Sequence, residues 1–254
     1  MKHLFDIQNS DHIVLQLNRG KANALNHEMI LELRHFFNTV KTDPSCKAVL
    51  LTGKKDFFSA GIDLPEVFNY SEEKTKQFWA DFLLLAIDML EFDKPLVCAI
   101  NGHAPAGGCI LACCCDYRIM VAQDKYRIGL NEMAVGIAPR AGIFELYAFW
   151  IGKKVAYQAL LEGKLFGVQE AKKIGLIDTL CEEDKLMSMA TEKIQHYTQL
   201  PSAAFSQTKR AMRQPVAHIM KSTFEQDLDQ LFQQLMSDEC REIMANIVKR
   251  LTQN

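Results

Sequence analysis

Short strand-like runs alternate with longer helical patterns along the first part of the chain. The run HIVLQLN (residues 12–18) alternates apolar and polar residues, which is typical of a half-buried strand. Apolar residues at helical spacing then follow Asn26, a residue type favoured at helix N-caps. The same order returns at KAVLLTG (47–53), which precedes a predicted helix from about Ser71 to Glu91. The pattern therefore predicts repeated strand and helix units.

Two further rounds of the pattern follow. PLVCAIN (95–101) predicts a strand, GHAPAGG (102–108) a turn, and CILACC (109–114) a short apolar helix, after which DYRIMVA (116–122) returns to a strand. The last round runs through KYRIGL into a helix over 142–149. Strands interleaved with helices predict an α/β fold with parallel pairing, because parallel strands need long crossover connections.

Strand signals stop after about residue 183. Three helical stretches are predicted there, broken at Pro201 and Pro215, because proline interrupts helical hydrogen bonding. One stretch carries an apolar stripe that must bury against the core or against another subunit. The stripe consists of Phe224, Leu228, Leu231, Phe232 and Leu235.

The composition argues against nucleic acid and membranes as binding partners. The 254 residues suffice for one large core, and a net charge of -2 gives no overall electrostatic case for nucleic acid. No uncharged apolar run approaches the roughly 18 residues of a membrane span, and the polar start does not look like a signal peptide. The expected location is therefore cytoplasmic, with no membrane partner.

Four of the eight cysteines crowd the segment PAGGCILACCCDYRI (105–119), which raises the question of a metal, redox or nucleotide site. Adjacent cysteine pairs on one short helix cannot all face one ion, and the chain has no second pair of ligands. The glycine spacing also departs from GxGxxG. We therefore predict no metal site and expect the cysteines to be small buried apolar residues.

The small-residue loops SAGID (59–63) and PAGGC (105–109) share one design. Each follows an apolar strand, leads toward a helix, and lets a ligand approach unpaired main-chain N–H groups. Two such loops on neighbouring strands can converge on one oxygen atom. Glycines after strands also make ordinary turns, so the residues alone leave both interpretations open.

Three segments in order, FFSAGIDL, INGHAPAGGCILACCCDYRI and YRIGLNEMAVGI, resemble the enoyl-CoA hydratase/isomerase (crotonase) family. GKANALN and residues 152–178 also resemble it, so the resemblance covers about residues 10–180. It implies a spiral of β-β-α repeats in residues 1–183. It also implies a helical region, residues 184–254, that builds trimers, often paired into hexamers.

The same resemblance implies an acyl-CoA thioester substrate. The main-chain N–H groups of Ile62 and Gly107 match the family's donors to the thioester oxygen, at which an enolate forms. Coenzyme A is part of the substrate in this family, so no separate cofactor is expected. Lys21 is a candidate phosphate contact. The expected substrate-binding positions are Ala22, Ala60, Gly61, Asp63, Leu64 and Asn131.

Two acidic positions distinguish the reactions of the family. Its hydratases resemble one another in carrying one glutamate just after the GGC turn and another in a later segment, where this chain has Ile110 and Glu132. Water addition benefits from two groups, whereas moving a double bond needs one base that carries a proton from C2 to C4. The pattern resembles the mitochondrial-type enoyl-CoA isomerases, with Glu132 as the base. Its apolar neighbours are expected to raise its pKa, and they are Leu130, Met133, Val135 and Ile137.

Two alternatives stay open. Another reaction of the family, such as weak hydration, thioester hydrolysis or decarboxylation, can use Glu132 differently or recruit Asp63 or His103. The chain can also be a noncatalytic binder of CoA thioesters whose helical tail is the functional surface. Arg140 stands where hydratase-like members tend to have glycine, and it is expected to reshape the acyl pocket.

Overall fold

Two sheets share the ten strands found among residues 2–8 and 12–253, which are the residues that a computed structural model of the protein describes. The strands are β1 (Leu4–Gln8), β2 (Ile13–Leu17), β3 (Val49–Thr52), β4 (Asp56–Phe57), β5 (Leu96–Ile100), β6 (Gly102–Pro105), β7 (Tyr117–Val121), β8 (Arg127–Gly129), β9 (Phe166–Gly167) and β10 (Thr179–Cys181). The helices are α1 (His27–Thr42), α2 (Leu64–Val67), α3 (Glu72–Leu90), α4 (Gly107–Cys113), α5 (Ala141–Ile151), α6 (Lys153–Glu162), α7 (Val168–Lys173), α8 (Leu186–Thr198), α9 (Ser202–Ser222), α10 (Phe224–Leu235) and α11 (Asp238–Thr252).

The chain spirals between the two sheets. The larger sheet has the strand order β1-β2-β3-β5-β7-β10, and only β1 and β2 pair antiparallel in it. The smaller sheet has the order β4-β6-β8-β9. Successive repeats place one strand in each sheet before a helix begins, as in β3-β4-α2 and β5-β6-α4. This confirms the predicted α/β spiral of β-β-α repeats.

Buried apolar strands and capped helices account for these elements. All residues of β3 and β5 are buried, as expected of parallel strands covered on both faces. Asn26 caps α1, since its side chain accepts a hydrogen bond from the Met29 N–H at 3.0 Å. Ser71 caps α3 in the same way through the Lys74 N–H. The Asn26 cap lies where the sequence predicts it, and α3 begins directly after Ser71, where the sequence predicts the start of a helix.

The segment GHAPAGG is a strand at its start, where the sequence predicts only a turn. Residues 102–105 form β6, which pairs with β4 on one side and β8 on the other. A Cβ atom at Gly102 would lie 2.0 Å from the backbone carbon of Asp56, so the two strands approach at a distance that only glycine permits. Glycine therefore allows a close strand pair at this position.

The helical tail has one helix more than the sequence predicts. Pro201 does precede α9, but Pro215 lies inside α9, which continues to Ser222. Pro215 and Ala211, the residue whose carbonyl loses its helical donor, are both exposed, while the buried face continues through Val216 and Met220. None of the helices among the described residues combines the length and apolar character that a membrane crossing needs.

Helix α9 is anchored to the end of α4 by two buried cations. Arg213 donates to the Cys115 carbonyl oxygen at 2.8 Å and to Asp116 Oδ1 at 3.4 Å. Lys209 Nζ contacts Asp116 Oδ2 at 2.8 Å. Positive charge suits the carbonyl end of a helix, and the opposite end of α4 carries the PAGGC loop. The tail therefore helps to fix the helix on which that loop is built.

Candidate active site

The loops SAGID and PAGGC are in backbone contact. Gly61 has φ +82°, and a Cβ atom at this position would lie 3.1 Å from the Gly107 nitrogen. A Cβ atom at Gly107 would in turn lie 3.4 Å from the Gly61 Cα atom. At Gly108 it would lie 2.5 Å from the Ser59 carbonyl oxygen. The structure thus brings the two loops together through positions that have no room for a side chain.

Each loop offers one main-chain donor that is not used within the described part of the chain. The Ile62 and Gly107 N–H groups donate to no acceptor there, whereas neighbouring groups are paired: Asp63 with the Leu25 carbonyl oxygen at 2.9 Å, and Ala106 with the Gly129 carbonyl oxygen at 2.8 Å. Gly107 is the first residue of α4, where N–H groups lack helical partners. The two loops therefore present a pair of free donors.

A strained residue sets the direction of the second loop. Ala106 has φ +48° and ψ -119°, a conformation that residues with a Cβ atom rarely adopt. Its N–H group is held by Gly129, the last residue of β8. The strain is concentrated at the turn from β6 into α4, directly before the free Gly107 N–H group.

A cavity of ≈ 140 Å³ lies beside these donors. Ile62 and Gly107 both line it, and Glu132 is the one carboxylate among the described residues of its wall. Most of the wall is apolar, so the cavity suits an acyl chain better than a polar ligand. The apolar wall includes Leu64, Trp79, Phe82, Leu83, Ile110, Val135, Ile137, Ile143 and Leu231.

Glu132 carries a buried carboxyl group whose pKa lies near neutral pH. It begins a short 3₁₀ helix, Glu132–Val135, directly after β8 and Asn131. The residue as a whole is partly accessible, but its Oε2 atom is buried and has no hydrogen-bond partner among the described residues. Burial raises the pKa of Glu132 from its ordinary value of 4.5 to about 7, although its own backbone N–H group opposes the rise.

The apolar surroundings of Glu132 differ in one respect from the sequence expectation. Leu130 and Ile137 are buried, and Val135 lines the cavity, as expected. Met133 is 46% exposed, so it does not shield the carboxylate. The 3₁₀ helix turns successive side chains to different sides, which places Met133 outward.

The position next to the GGC turn is apolar in space as well as in sequence. Ile110 lies on α4, is 4% exposed, and lines the cavity together with Glu132. Asn131 also lines the cavity, and its Oδ1 atom is buried without a donor among the described residues. The site thus combines one carboxylate, one amide and two main-chain donors.

Several sequence candidates lie beside the cavity rather than in its wall. The Ala22 carbonyl oxygen accepts from the Ala60 N–H group at 2.9 Å. The Asp63 carboxylate caps α2 and pairs with Arg19 at 2.6 Å. His103 lies on β6, where its Nδ1 atom accepts from the Arg127 N–H group at 3.2 Å, and burial lowers its pKa. Only Ala60 of these residues lines the cavity.

Part of the cavity wall has no distinguishing signal in the sequence. Trp79, Phe82 and Leu83 come from α3, and Leu231 comes from α10, far along the chain. Their helical spacing predicts burial, but the same spacing serves a packed core and a cavity wall equally well. The contact between α3 and α10 in space is what makes them a pocket.

The eight cysteines are all buried, which confirms their predicted role in packing. The Cys109 and Cys113 sulfur atoms are 4.0 Å apart, one turn from each other on α4. Within residues 2–8 and 12–253, no group of three or more histidine, cysteine or acidic side chains is arranged to hold a metal ion.

The sequence matches the family model described as Enoyl-CoA hydratase/isomerase over residues 8–252. It is 32% identical to mouse (Mus musculus) enoyl-CoA delta isomerase 1, mitochondrial, over 94% of this chain and 83% of that protein. It is also 32% identical to the 2,3-dehydroadipyl-CoA hydratase of Escherichia coli (strain K12), over 94% and 92% of the two chains. The crystal structure of human mitochondrial delta3-delta2-enoyl-CoA isomerase superposes with a TM-score of 0.95 at 29% identity, covering 99% of this chain and 98% of that one.

Proposed function

The chain belongs to the enoyl-CoA hydratase/isomerase family, and we propose that within it the protein moves the double bond of a 3-enoyl-CoA to form a trans-2-enoyl-CoA, a step of fatty-acid β-oxidation. One observation carries this proposal. Among the residues that the structure describes, a single buried carboxyl group, with a pKa of about 7, shares an apolar cavity with two main-chain N–H groups that have no acceptor there. Ile110 occupies the position where the hydratases resembled by this sequence carry a second glutamate.

The reaction needs only these groups. The thioester oxygen accepts hydrogen bonds from the Ile62 and Gly107 N–H groups, and the Glu132 carboxylate removes a proton from C2. The electron pair of that C–H bond forms the C1–C2 double bond of a dienolate, with the negative charge on the thioester oxygen. When Glu132 returns the proton to C4, the C3–C4 π electrons form the new C–H bond and the C1–C2 π electrons become the C2–C3 double bond. An oxygen lone pair restores the C1=O double bond of the thioester.

The main-chain donors, the base and the apolar wall each contribute to the rate in a known way. Loss of one preorganised donor to a developing oxyanion typically slows a reaction by about a hundredfold to a thousandfold. A base with a pKa near the working pH is both ionised and strong enough to remove a weakly acidic proton. The apolar wall, including Ile110 and Ile137, keeps water from the dienolate.

Coenzyme A is proposed to enter as part of the substrate, with no separate cofactor. Ala60 and Leu64 line the cavity next to the free Ile62 N–H group, which supports a path for the pantetheine arm along this loop. Gly61, Ala22 and Asp63 shape the same loop through its turn and its hydrogen bonds. Asn131 is proposed to contact the acyl group beside Glu132.

We also propose a homotrimer or a dimer of trimers, built by the helical region that follows residue 183. The resemblance to the family supports this assembly. Size-exclusion chromatography with light scattering tests it, since a monomeric mass would contradict it.

Hydration is the second candidate, because the E. coli hydratase is as similar in sequence as the mouse isomerase. The test supplies 3-enoyl-CoA and 2-enoyl-CoA side by side and follows both products. We expect double-bond migration to be faster than water addition, and the reverse order would overturn the isomerase proposal.

The variant Glu132→Gln separates the catalytic proposal from a noncatalytic one. We expect it to lose nearly all isomerisation while still binding a saturated acyl-CoA, since the amide has no basic oxygen but keeps the shape of the side chain. Unchanged turnover would remove Glu132 from the mechanism. A parent protein that turns over neither substrate, yet binds the saturated thioester, would favour a noncatalytic role.

A further inference from the structure

Arg140 places a positive charge in the wall of the apolar cavity. It precedes α5 and lines the cavity together with Ile143 and Leu231. An unmodified fatty acyl chain has nothing to offer such a charge. A guanidinium group in a mostly apolar cavity wall is unfavourable unless a polar or charged group of the ligand pairs with it.

The guanidinium group of Arg140 hydrogen-bonds to amide oxygens and forms no salt bridge with a carboxylate of the described residues. Nη2 donates to Gln234 Oε1 at 2.8 Å, and Nη1 contacts Gln230 Oε1 at 3.5 Å. Its Nε atom is buried without an acceptor, and the side chain forms no ion pair with any carboxylate of the described residues. Burial lowers the pKa of Arg140, and the charge of Asp227 opposes this only in part.

Arg140 lies beside α10, because its guanidinium group donates to Gln230 and Gln234 of that helix. On its other side Arg140 borders a second, small cavity that is lined by Phe224 and Asp227. The cation therefore marks the end of the cavity next to α10, where the tail of an acyl chain would finish.

A second donor in the same wall also lacks an acceptor. Trp79 is 7% exposed and lines the cavity, and its Nε1 atom is buried with no partner among the described residues. Buried indole N–H groups usually find an acceptor. Two donors without acceptors, Trp79 Nε1 and Arg140 Nε, are thus found around one apolar cavity.

We propose that the cavity accepts an acyl-CoA whose chain ends in a carboxylate, and that Arg140 pairs with this terminal group while Trp79 donates a further hydrogen bond to it. The proposal rests on the proposed function for the thioester end of the same site. Arginine binds a carboxylate through two parallel N–H donors, and these bonds are among the stronger ones in proteins. A chain ending in a methyl group would instead leave the half-buried guanidinium group without a carboxylate partner in the cavity.

Calorimetry with two unreactive thioesters of equal carbon number, adipoyl-CoA and hexanoyl-CoA, tests the proposal on the full-length protein. We expect adipoyl-CoA to bind roughly tenfold to a hundredfold more tightly. In Arg140→Gln the ratio is expected to fall to one or below. Hexanoyl-CoA serves as the internal reference, so a general loss of folding cannot imitate the change in ratio.

Gln234→Glu tests the same point while keeping the arginine. A carboxylate at this position pairs with Arg140 from within the chain, and it should abolish the preference for adipoyl-CoA as Arg140→Gln does. The matched control is Arg210→Gln, whose side chain is 65% exposed and pairs with Asp93 outside the cavity; it should leave the ratio unchanged.

The outcomes separate the two proposals. Equal binding of both thioesters by the parent, or a preference that survives both variants, overturns the carboxylate-terminated substrate and leaves the isomerase proposal intact. A clear preference for adipoyl-CoA without turnover of any 3-enoyl-CoA would contradict the isomerase proposal and leave the proposed carboxylate site intact. Isomerisation of the monothioester of hex-3-enedioic acid, faster than that of 3-hexenoyl-CoA, is the result expected if both hold.

Discussion

Replacing Glu132 by glutamine is expected to stabilise the fold at alkaline pH and to leave its stability almost unchanged at acidic pH. Burial raises the pKa of Glu132 from 4.5 to about 7, so the folded state holds this proton where the unfolded chain has released it. The free energy of unfolding of the parent therefore falls as the pH rises from about 4.5 through 7. At about 1.4 kcal/mol per pKa unit, the loss amounts to about 3 kcal/mol above pH 7.

Glutamine has the shape of the protonated acid and cannot ionise, so the variant escapes this loss. Urea unfolding of parent and Glu132→Gln at pH 5 and pH 8, at equal protein concentration, measures the difference. We expect the variant to be more stable by about 3 kcal/mol at pH 8, and the gap to shrink toward zero at pH 5. Glu162→Gln is the matched control, because it changes an exposed glutamate of α6.

The same ionisation must appear in the kinetics of the parent. Glu132 acts as a base only when it is ionised, so kcat/KM for the 3-enoyl-CoA should fall below about pH 7. A stability difference that does not depend on pH, or a Glu132→Gln protein that is less stable at pH 8, would refute the reasoning. Either result would mean that the carboxylate is well solvated or paired in solution.

Three further predictions follow from other parts of the structure. Gly108→Ala places a Cβ atom 2.5 Å from the Ser59 carbonyl oxygen, so the two loops must separate. Turnover should therefore fall by about a hundredfold to a thousandfold. The control Gly167→Ala, where the nearest atom to the new Cβ is 3.9 Å away, should have little effect on turnover. Asp116→Asn leaves the buried Lys209 and Arg213 without their shared anion. In urea titrations it should lower the free energy of unfolding by about 3 kcal/mol. A loss below about 1 kcal/mol would show that water solvates the two cations in place of the carboxylate. Because the cysteines are buried, a thiol reagent should react slowly with the folded protein and leave turnover unchanged. All eight cysteines should react in denaturant. Rapid loss of activity in the folded protein would show that a cysteine borders the site.

Much of the fold was readable from consecutive residues. Strand and helix periods, the cap at Asn26, the helix start near Ser71 and the paired small-residue loops are all local signals, and each lies where the sequence predicts it. The contrast between Ile110 and Glu132 is also visible in the sequence alone. Local patterns suffice for these features because they depend on the conformation and character of neighbouring residues.

The sequence predictions failed where distant segments decide the structure. Strand β6 exists because β4 and β8 lie on either side of GHAPAGG, and α9 runs through Pro215 because its buried face continues past that residue. The walls of the cavity come from α3, α5 and α10, whose helical periods predict only burial.

The chain by itself determined the alternation of strands and helices, the two small-residue loops, and the contrast between Ile110 and Glu132. Only the tertiary structure decided that the loops touch, that Glu132 has a pKa of about 7 and that Arg140 hydrogen-bonds to the amide oxygens of Gln230 and Gln234. The physical reason is that desolvation and charge pairing depend on which groups surround an atom in space. Those groups come from segments far apart in the sequence, and no local pattern specifies them.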